Sequence, residues 1–168
     1  SIRLVGSEMC IRDRINILTK TDCTRLHDIN DTSVLKMADY KYLIAGIPTW
    51  DFGELQEDWE DQWEKLKEIN LESKYVALFG LGDQVGYPEW FQDAMGYLWQ
   101  KLKDQGAIMV GTWPNQGYSF THSKALNAEK SMFLGLPLDD ENQFDQTDSK
   151  IQVWTKKILT EFGILNFE

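Results

Sequence analysis

Residues 40–55 read Tyr40-Lys-Tyr-Leu-Ile-Ala-Gly-Ile-Pro-Thr-Trp-Asp-Phe-Gly-Glu-Leu55. The run from Tyr40 to Gly46 is short and apolar, and Ile47-Pro48 closes it, which is the pattern of a buried strand stopped by a proline. From Glu54 to Ile69 the spacing becomes helical, with Leu55, Trp59, Trp63, Leu66 and Ile69 on one stripe and acids on the other face. The unit then repeats. Lys74 to Gly80 is a second buried strand. Pro88 to Gln105 is a second helix, with Pro88 in its first turn and Phe91, Met95, Leu98 and Leu102 facing inward. Ala107 to Thr112 is a third strand, and Thr147 to Phe162 a final helix carrying Ile151, Trp154 and Ile158. Upstream, Cys23 to Ile29 reads as an edge strand and Thr32 to Met37 as a helical turn. Strand–helix alternation at this spacing predicts an α/β fold, a parallel sheet with helices on both faces. Between Trp113 and Gln146 the alternation lapses into a polar, turn-rich stretch that reads as an insertion.

The chain has 168 residues, which fits one domain over 1–168 with enough core to stand without disulfides or metals. Its two cysteines, Cys10 and Cys23, make no disulfide framework, and no Cys/His spacing suggests zinc. No apolar run approaches a membrane span, so the cytoplasm is the expected location. The net charge is −10. That argues against nucleic acid, which rewards Lys and Arg, and against an anionic membrane surface. It favours either simple solubility or docking onto a basic protein surface. The acids are clustered: seven lie between Asp51 and Glu64 and five between Asp139 and Asp148, with no basic residue in either stretch.

In parallel α/β sheets, ligands sit outside the carboxyl ends of the strands, so the loops after the first two buried strands are the place to look. One reads Pro48-Thr49-Trp50-Asp51-Phe52-Gly53-Glu54. A Trp just past a strand end offers a flat face at the rim, and Gly53 permits unusual torsions beside it. The other reads Gly80-Leu81-Gly82-Asp83-Gln84-Val85-Gly86-Tyr87. Its glycines let backbone amides approach a ligand, Asp83 can accept hydrogen bonds, and Tyr87 adds a second aromatic plane. Two aromatics on adjoining strand-end loops could sandwich a flat heterocycle.

Ile47-Pro-Thr-Trp-Asp-Phe-Gly-Glu-Leu55 and Gly80-Leu-Gly-Asp-Gln-Val-Gly-Tyr-Pro-Glu-Trp-Phe-Gln-Asp93 closely resemble the two flavin-holding loops of the flavodoxins. The likeness runs from about Thr24 to Gly163 and includes Leu26-His-Asp-Ile29, Ser123-Lys-Ala-Leu126 and Leu138-Asp-Asp-Glu-Asn-Gln143. The insertion looks like the extra loop of the long-chain branch. The resemblance implies a doubly wound, five-stranded parallel sheet of order 2-1-3-4-5. It also implies bound FMN, the role of a one-electron carrier rather than an enzyme, and a monomer. Its partners would be basic-faced redox proteins such as a ferredoxin/flavodoxin-NADP reductase.

Position by position, the resemblance places Trp50 on one face of the isoalloxazine and Tyr87 on the other. Thr49 matches a threonine beside the flavin phosphate. The Asp51–Phe52 peptide, next to Gly53, matches the one that reorients toward the reduced flavin N5. Gly82 and Asp83 lie where backbone and side chain meet the ring and ribityl chain, and Leu81 stands where Thr or Ser is often found. An enzyme of the same fold, a flavin-dependent NAD(P)H:quinone reductase, and a flavin-free remnant are the alternatives.

The start departs from the family. Flavodoxins open with a strand running into a Thr/Ser/Gly-rich loop that holds the FMN phosphate at a helix N-terminus. Ser1 to Arg14 contains no Thr and one Gly, and resembles a translated adaptor-like tail. This stretch is expected to be non-native and to replace the first strand and phosphate loop. Ser1 to Val5 could fill the central strand position and Arg12 to Lys20 part of the first helix, leaving the phosphate site incomplete.

Overall fold

The computed structural model describes residues 5–166. Helix α1 (Val5–Thr19) opens the chain, and a 3₁₀ turn (Val34–Asp39) leads into strand β1 (Tyr42–Trp50). A short strand β2 (Glu54–Leu55) and helix α2 (Glu57–Gln62) follow, the helix tightening to 3₁₀ over Trp63–Glu68. Then come β3 (Tyr75–Leu81), α3 (Asp93–Asp104), β4 (Ile108–Val110), β5 (Trp113–Pro114), β6 (Met132–Phe133), β7 (Leu136–Leu138) and α4 (Phe144–Glu161).

The parallel sheet is built on β3. One of its edges pairs with β1 from Tyr42↔Tyr75 to Pro48↔Leu81. Its other edge is shared, the first half pairing with β4 and the second half with β7. β4 and β7 are therefore two halves of one edge strand, split by the insertion. The split begins at Gly111, whose φ of 87° turns the chain out of the sheet. Inside the insertion β5 and β6 form their own antiparallel ladder.

Alternate residues of β3 feed two cores. Val76 and Leu78 join Ile47 on one face, under Ala94, Met95, Leu98 and Leu102 of α3 and Trp59 and Leu66. Ala77 and Phe79 join Leu136 and Leu138 on the other, under Ile151, Trp154 and Ile158 of α4 and Ile11 and Ile15 of α1. Trp154 also donates through Nε1 to the Gly111 carbonyl at 2.8 Å, tying α4 to the break in the edge strand.

The α/β class, the helices on both faces and the insertion into the last strand match the sequence reading. Individual elements differ. Cys23 to Ile29 is not a strand; residues 22–28 carry no regular structure. A strand needs a partner for its N–H and C=O groups, and no described strand lies beside it. Of the central strand expected over Ser1 to Val5, Val5 begins α1 and residues 1–4 lie outside the described residues. The described parallel strands are thus the 3-4-5 part of the order 2-1-3-4-5. Helix α3 starts at Asp93, not Pro88, because the Pro88 carbonyl already accepts from the amides of Thr121 and His122. Gln92 just before the helix is left-handed, with φ 64°. The stripe from Leu55 onward likewise begins one element early, since Glu54–Leu55 pairs with the end of β1 instead of entering α2.

Two positions carry measurable consequences. Gly96 sits in α3 where a Cβ would collide with the Lys124 carbonyl of the insertion. Alanine normally favours a helix interior over glycine by about 0.5–1 kcal/mol. Gly96→Ala is nevertheless expected to destabilise the chain in urea unfolding, by roughly 1–3 kcal/mol, the usual cost of overpacking.

Glu8, in the first turn of α1, has a buried Oε2 with no hydrogen-bond partner among the described residues. Burial, seconded by the Asp28 carboxylate and opposed by a backbone hydrogen bond, pushes its pKa up from 4.5 to about 7. The folded state therefore holds this proton more tightly than the unfolded chain. Stability falls as pH rises from 4.5 to 7, and the deficit is complete above that window. Denaturation at pH 5 and pH 8 should show Glu8→Gln more stable than the parent at pH 8, by roughly 1–2 kcal/mol after solvent screening, with little difference at pH 5.

Candidate functional site

The register Pro48↔Leu81 sets the carboxyl ends of β1 and β3 side by side, and both loops leave from there. After Trp50 the chain makes a three-residue turn and returns as β2, with Thr49↔Leu55 and Trp50↔Glu54 paired. The turn needs positive φ at Asp51 (42°) and Gly53 (84°). Gly53 is buried, and a Cβ there would press on Trp90 and on the Asp93 carboxylate, so a side chain is disfavoured both by torsion and by space.

The turn presents its aromatics outward. Phe52 is 63% exposed and stands edge-on to Tyr87 and Trp90, at 6.0 and 5.1 Å between ring centres. Tyr87 donates its hydroxyl to Asp51 Oδ1 at 3.1 Å, and this acceptor holds the phenol above its ordinary pKa. Trp50 lies half-buried at the end of β1. Asp51, Phe52, Asp83 and Tyr87 are therefore brought to one rim, with Trp50 at its edge. Thr49 is engaged elsewhere: its Oγ1 accepts from the Ala94 amide in the first turn of α3 at 3.1 Å. Leu81 ends β3 and packs into the core under α4.

The second loop is held by carboxylates. Asp83 Oδ1 accepts from the amides of Val85 and Gly86 at 3.0 and 2.7 Å and from Asn142 Nδ2 at 2.8 Å. Burial would raise the Asp83 carboxyl, but these donors hold it below its ordinary value. The Gly82 amide donates to the Leu138 carbonyl at 3.0 Å and the Tyr87 amide to the Asp83 carbonyl at 3.1 Å. The Gln84 amide donates to Asp139 Oδ2 at 3.1 Å. That leaves the Asp83 amide with no partner among the described residues, a donor free for a ligand acceptor.

A groove of about 730 Å³ is lined by Gly53, Glu54 and Leu55 together with Trp63 and Tyr97. Lys101 and Lys124 lie over those two rings at 5.9 and 4.8 Å. The strand-end rim instead collects the exposed aromatic, the free amide and the positive-φ turn, and these are what a flat polar ligand requires. Among the described residues no group of His, Cys, Asp and Glu could hold a metal ion.

Sequence reasoning missed Gln84, Asp139 and Asn142, which shape the second loop. The signal was present. Asp139 directly follows Leu136-Pro-Leu138, a short apolar run that is the second half of the edge strand, so it stands at a third strand end. The sequence places Trp90 and Asp93 in the second loop motif and the helix that follows, but not against Gly53, which they wall in.

Comparison with known proteins agrees with this arrangement. The family model described as Flavodoxin matches residues 10–154. Flavodoxin 2 of Escherichia coli is 48% identical over 162 residues, covering 94% of each chain. The flavodoxin of a Nostoc species is 46% identical over 143 residues, covering 85% of this chain and 83% of that protein. The crystal structure of Fusobacterium nucleatum flavodoxin bound to flavin mononucleotide superposes with a TM-score of 0.84 at 30% identity, over 95% of this chain and 94% of that one. With its two loops, its split edge strand and these relatives, the chain belongs to the flavodoxin family.

Proposed function

We propose that the chain is an FMN-dependent one-electron carrier whose ring site is formed by Trp50, the Asp51–Phe52–Gly53 turn, Gly82, Asp83 and Tyr87, with Thr49 and Leu81 framing it at the strand ends. The observation that carries the proposal is the Asp83 amide, without a partner among the described residues, beside Tyr87 and Phe52 at the carboxyl ends of adjoining parallel strands. FMN, when bound, supplies the redox chemistry, and the protein sets its potential. The chain's own residues do the rest. Trp50 and Tyr87 would offer flat apolar faces that exclude water, and the Asp83 amide would be available to an acceptor on the flavin. Asp51 and Asp83, with the acids of α2 nearby, disfavour added negative charge.

The ring half fits the described residues; the phosphate half does not. The first turn of α1 presents Glu8, with a buried carboxylate oxygen that has no partner among the described residues, where an anion at a helix N-terminus would need donors. This supports the proposal that Ser1 to Arg14 is foreign to the family pattern, and the family match leaves residues 1–9 of that stretch uncovered while taking in 10–14. Each lost charge-assisted bond is worth roughly 1.5–3 kcal/mol, and about 1.4 kcal/mol is tenfold in affinity. The phosphate should therefore add little, and FMN and riboflavin should bind within about fivefold of each other. Fluorescence titration checks this. Nanomolar FMN binding with riboflavin a hundredfold weaker would sink the claim about the phosphate. Trp50→Ala and Tyr87→Ala should each weaken both flavins by about tenfold or more, from lost ring contact alone; affinities unchanged in both variants would overturn the ring site.

The partners follow from charge. Asp51, Glu54, Glu57, Glu60 and Asp61 are exposed beside the ring site. We place them against basic faces of redox proteins such as a ferredoxin/flavodoxin-NADP reductase, with the carrier a cytoplasmic monomer acting as one domain over 1–168. Stopped-flow reduction by such a reductase should slow as salt rises. Glu57→Lys with Glu60→Lys should slow it by about tenfold at low salt and leave it nearly unchanged at high salt, since steering by exposed charge is screened. A rate indifferent to salt in both proteins would overturn the docking surface.

A further inference from the structure

Asp139 is 1% exposed, follows β7, and touches no ligand position itself. A buried carboxylate must be matched by donors, and here the donors come from two places. Gln84 gives its backbone amide and its Nε2 to Oδ2, at 3.1 and 2.8 Å. Asn142 gives its backbone amide to Oδ1 at 3.0 Å and its Nδ2 to both oxygens, at 3.1 and 2.9 Å. The same Nδ2 reaches Asp83 Oδ1. Gln84 is itself 3% exposed, and its Oε1 takes the Ser119 amide of the insertion. One carboxylate thus fixes Gln84 directly and Asp83 through Asn142. These bonds tie the loop to the strand end after β7.

We propose that Asp139 is a positioning residue of the ring site: through Gln84 and Asn142 it fixes the Gly82–Tyr87 loop in the shape that leaves the Asp83 amide as its free donor. The proposal rests on the flavin reading of that site, while its structural half can be measured on the flavin-free chain. Asp139→Asn keeps the shape but turns one acceptor into a donor facing the Gln84 and Asn142 donors. In this variant the amides of Gln84, Val85 and Gly86 should exchange with solvent at least about tenfold faster, while the core amides of β3 keep their protection. Riboflavin should bind at least about tenfold more weakly. Asn142→Ala, at an exposed position, leaves Asp139 buried and frees Asp83, so it should give a smaller effect in the same direction. Glu141→Gln removes a neighbouring exposed charge and should change neither readout, which separates positioning from charge.

Loop exchange and riboflavin affinity within twofold of the parent in Asp139→Asn would overturn the proposal. So would exchange that quickens equally throughout β3, which would mark Asp139 as a general stabiliser. If Asp139→Asn does not fold, Asn142→Ala decides: faster exchange at Val85 and Gly86 upholds the clamp, and unchanged exchange ends it. If the unaltered chain binds no riboflavin, the flavin function falls and the exchange comparison alone decides the clamp.

Discussion

Strand β3 has partners on both edges and helices over both faces, and each later feature depends on that enclosure. Its pairing with β1 puts two loops side by side at one end. Its pairing with β7 brings Leu138 and Asp139 to the same end. Its alternate side chains separate the α3 core from the core under α4 and α1. A parallel strand in this position cannot slip by one residue without exchanging Val76 and Leu78 for Ala77 and Phe79, so the register is strongly specified. The ligand end inherits that precision although it consists of loops.

At that end two kinds of interaction divide the work. Aromatic surface is held loosely and outward, with Phe52 exposed beside Tyr87 and Trp50 at the strand's last position. The backbone beneath is held tightly, because Asp83 and Asp139 absorb the loop amides that would otherwise face solvent. A site that must accept a flat ring without rebuilding benefits from rigid donors and accessible faces. In the proposed reading the surrounding acids serve a different range, biasing the potential near the ring and the approach of partners from a distance.

The opposite situation holds at the chain's start. Helix α1 is well seated through Ile11 and Ile15, so it contributes to the core whatever its origin. Its first turn, however, carries a carboxyl group that burial pushes toward neutrality, and one of its two oxygens finds no donor among the described residues. Packing tolerates many apolar sequences of about the right size, whereas anion binding requires particular donors at particular positions. A helix can therefore be structurally adequate and chemically unsuited to a phosphate.

By itself the sequence determined the α/β class, the helix stripes, the insertion and the aromatic loops, because these depend on local periodicity and on short motifs. It could not determine where helices begin when a distant group competes for a carbonyl. Thr121 and His122 take the Pro88 oxygen, and α3 starts five residues late. It could not tell a lone extended segment from a strand: Cys23 to Ile29 has the composition but no described neighbour to pair with. Nor could it show that Asp139 and Asn142 reach across 55 and 59 residues to Gln84 and Asp83. Those outcomes belong to the tertiary structure, since a hydrogen bond between distant segments exists only after the sheet has brought its strand ends together.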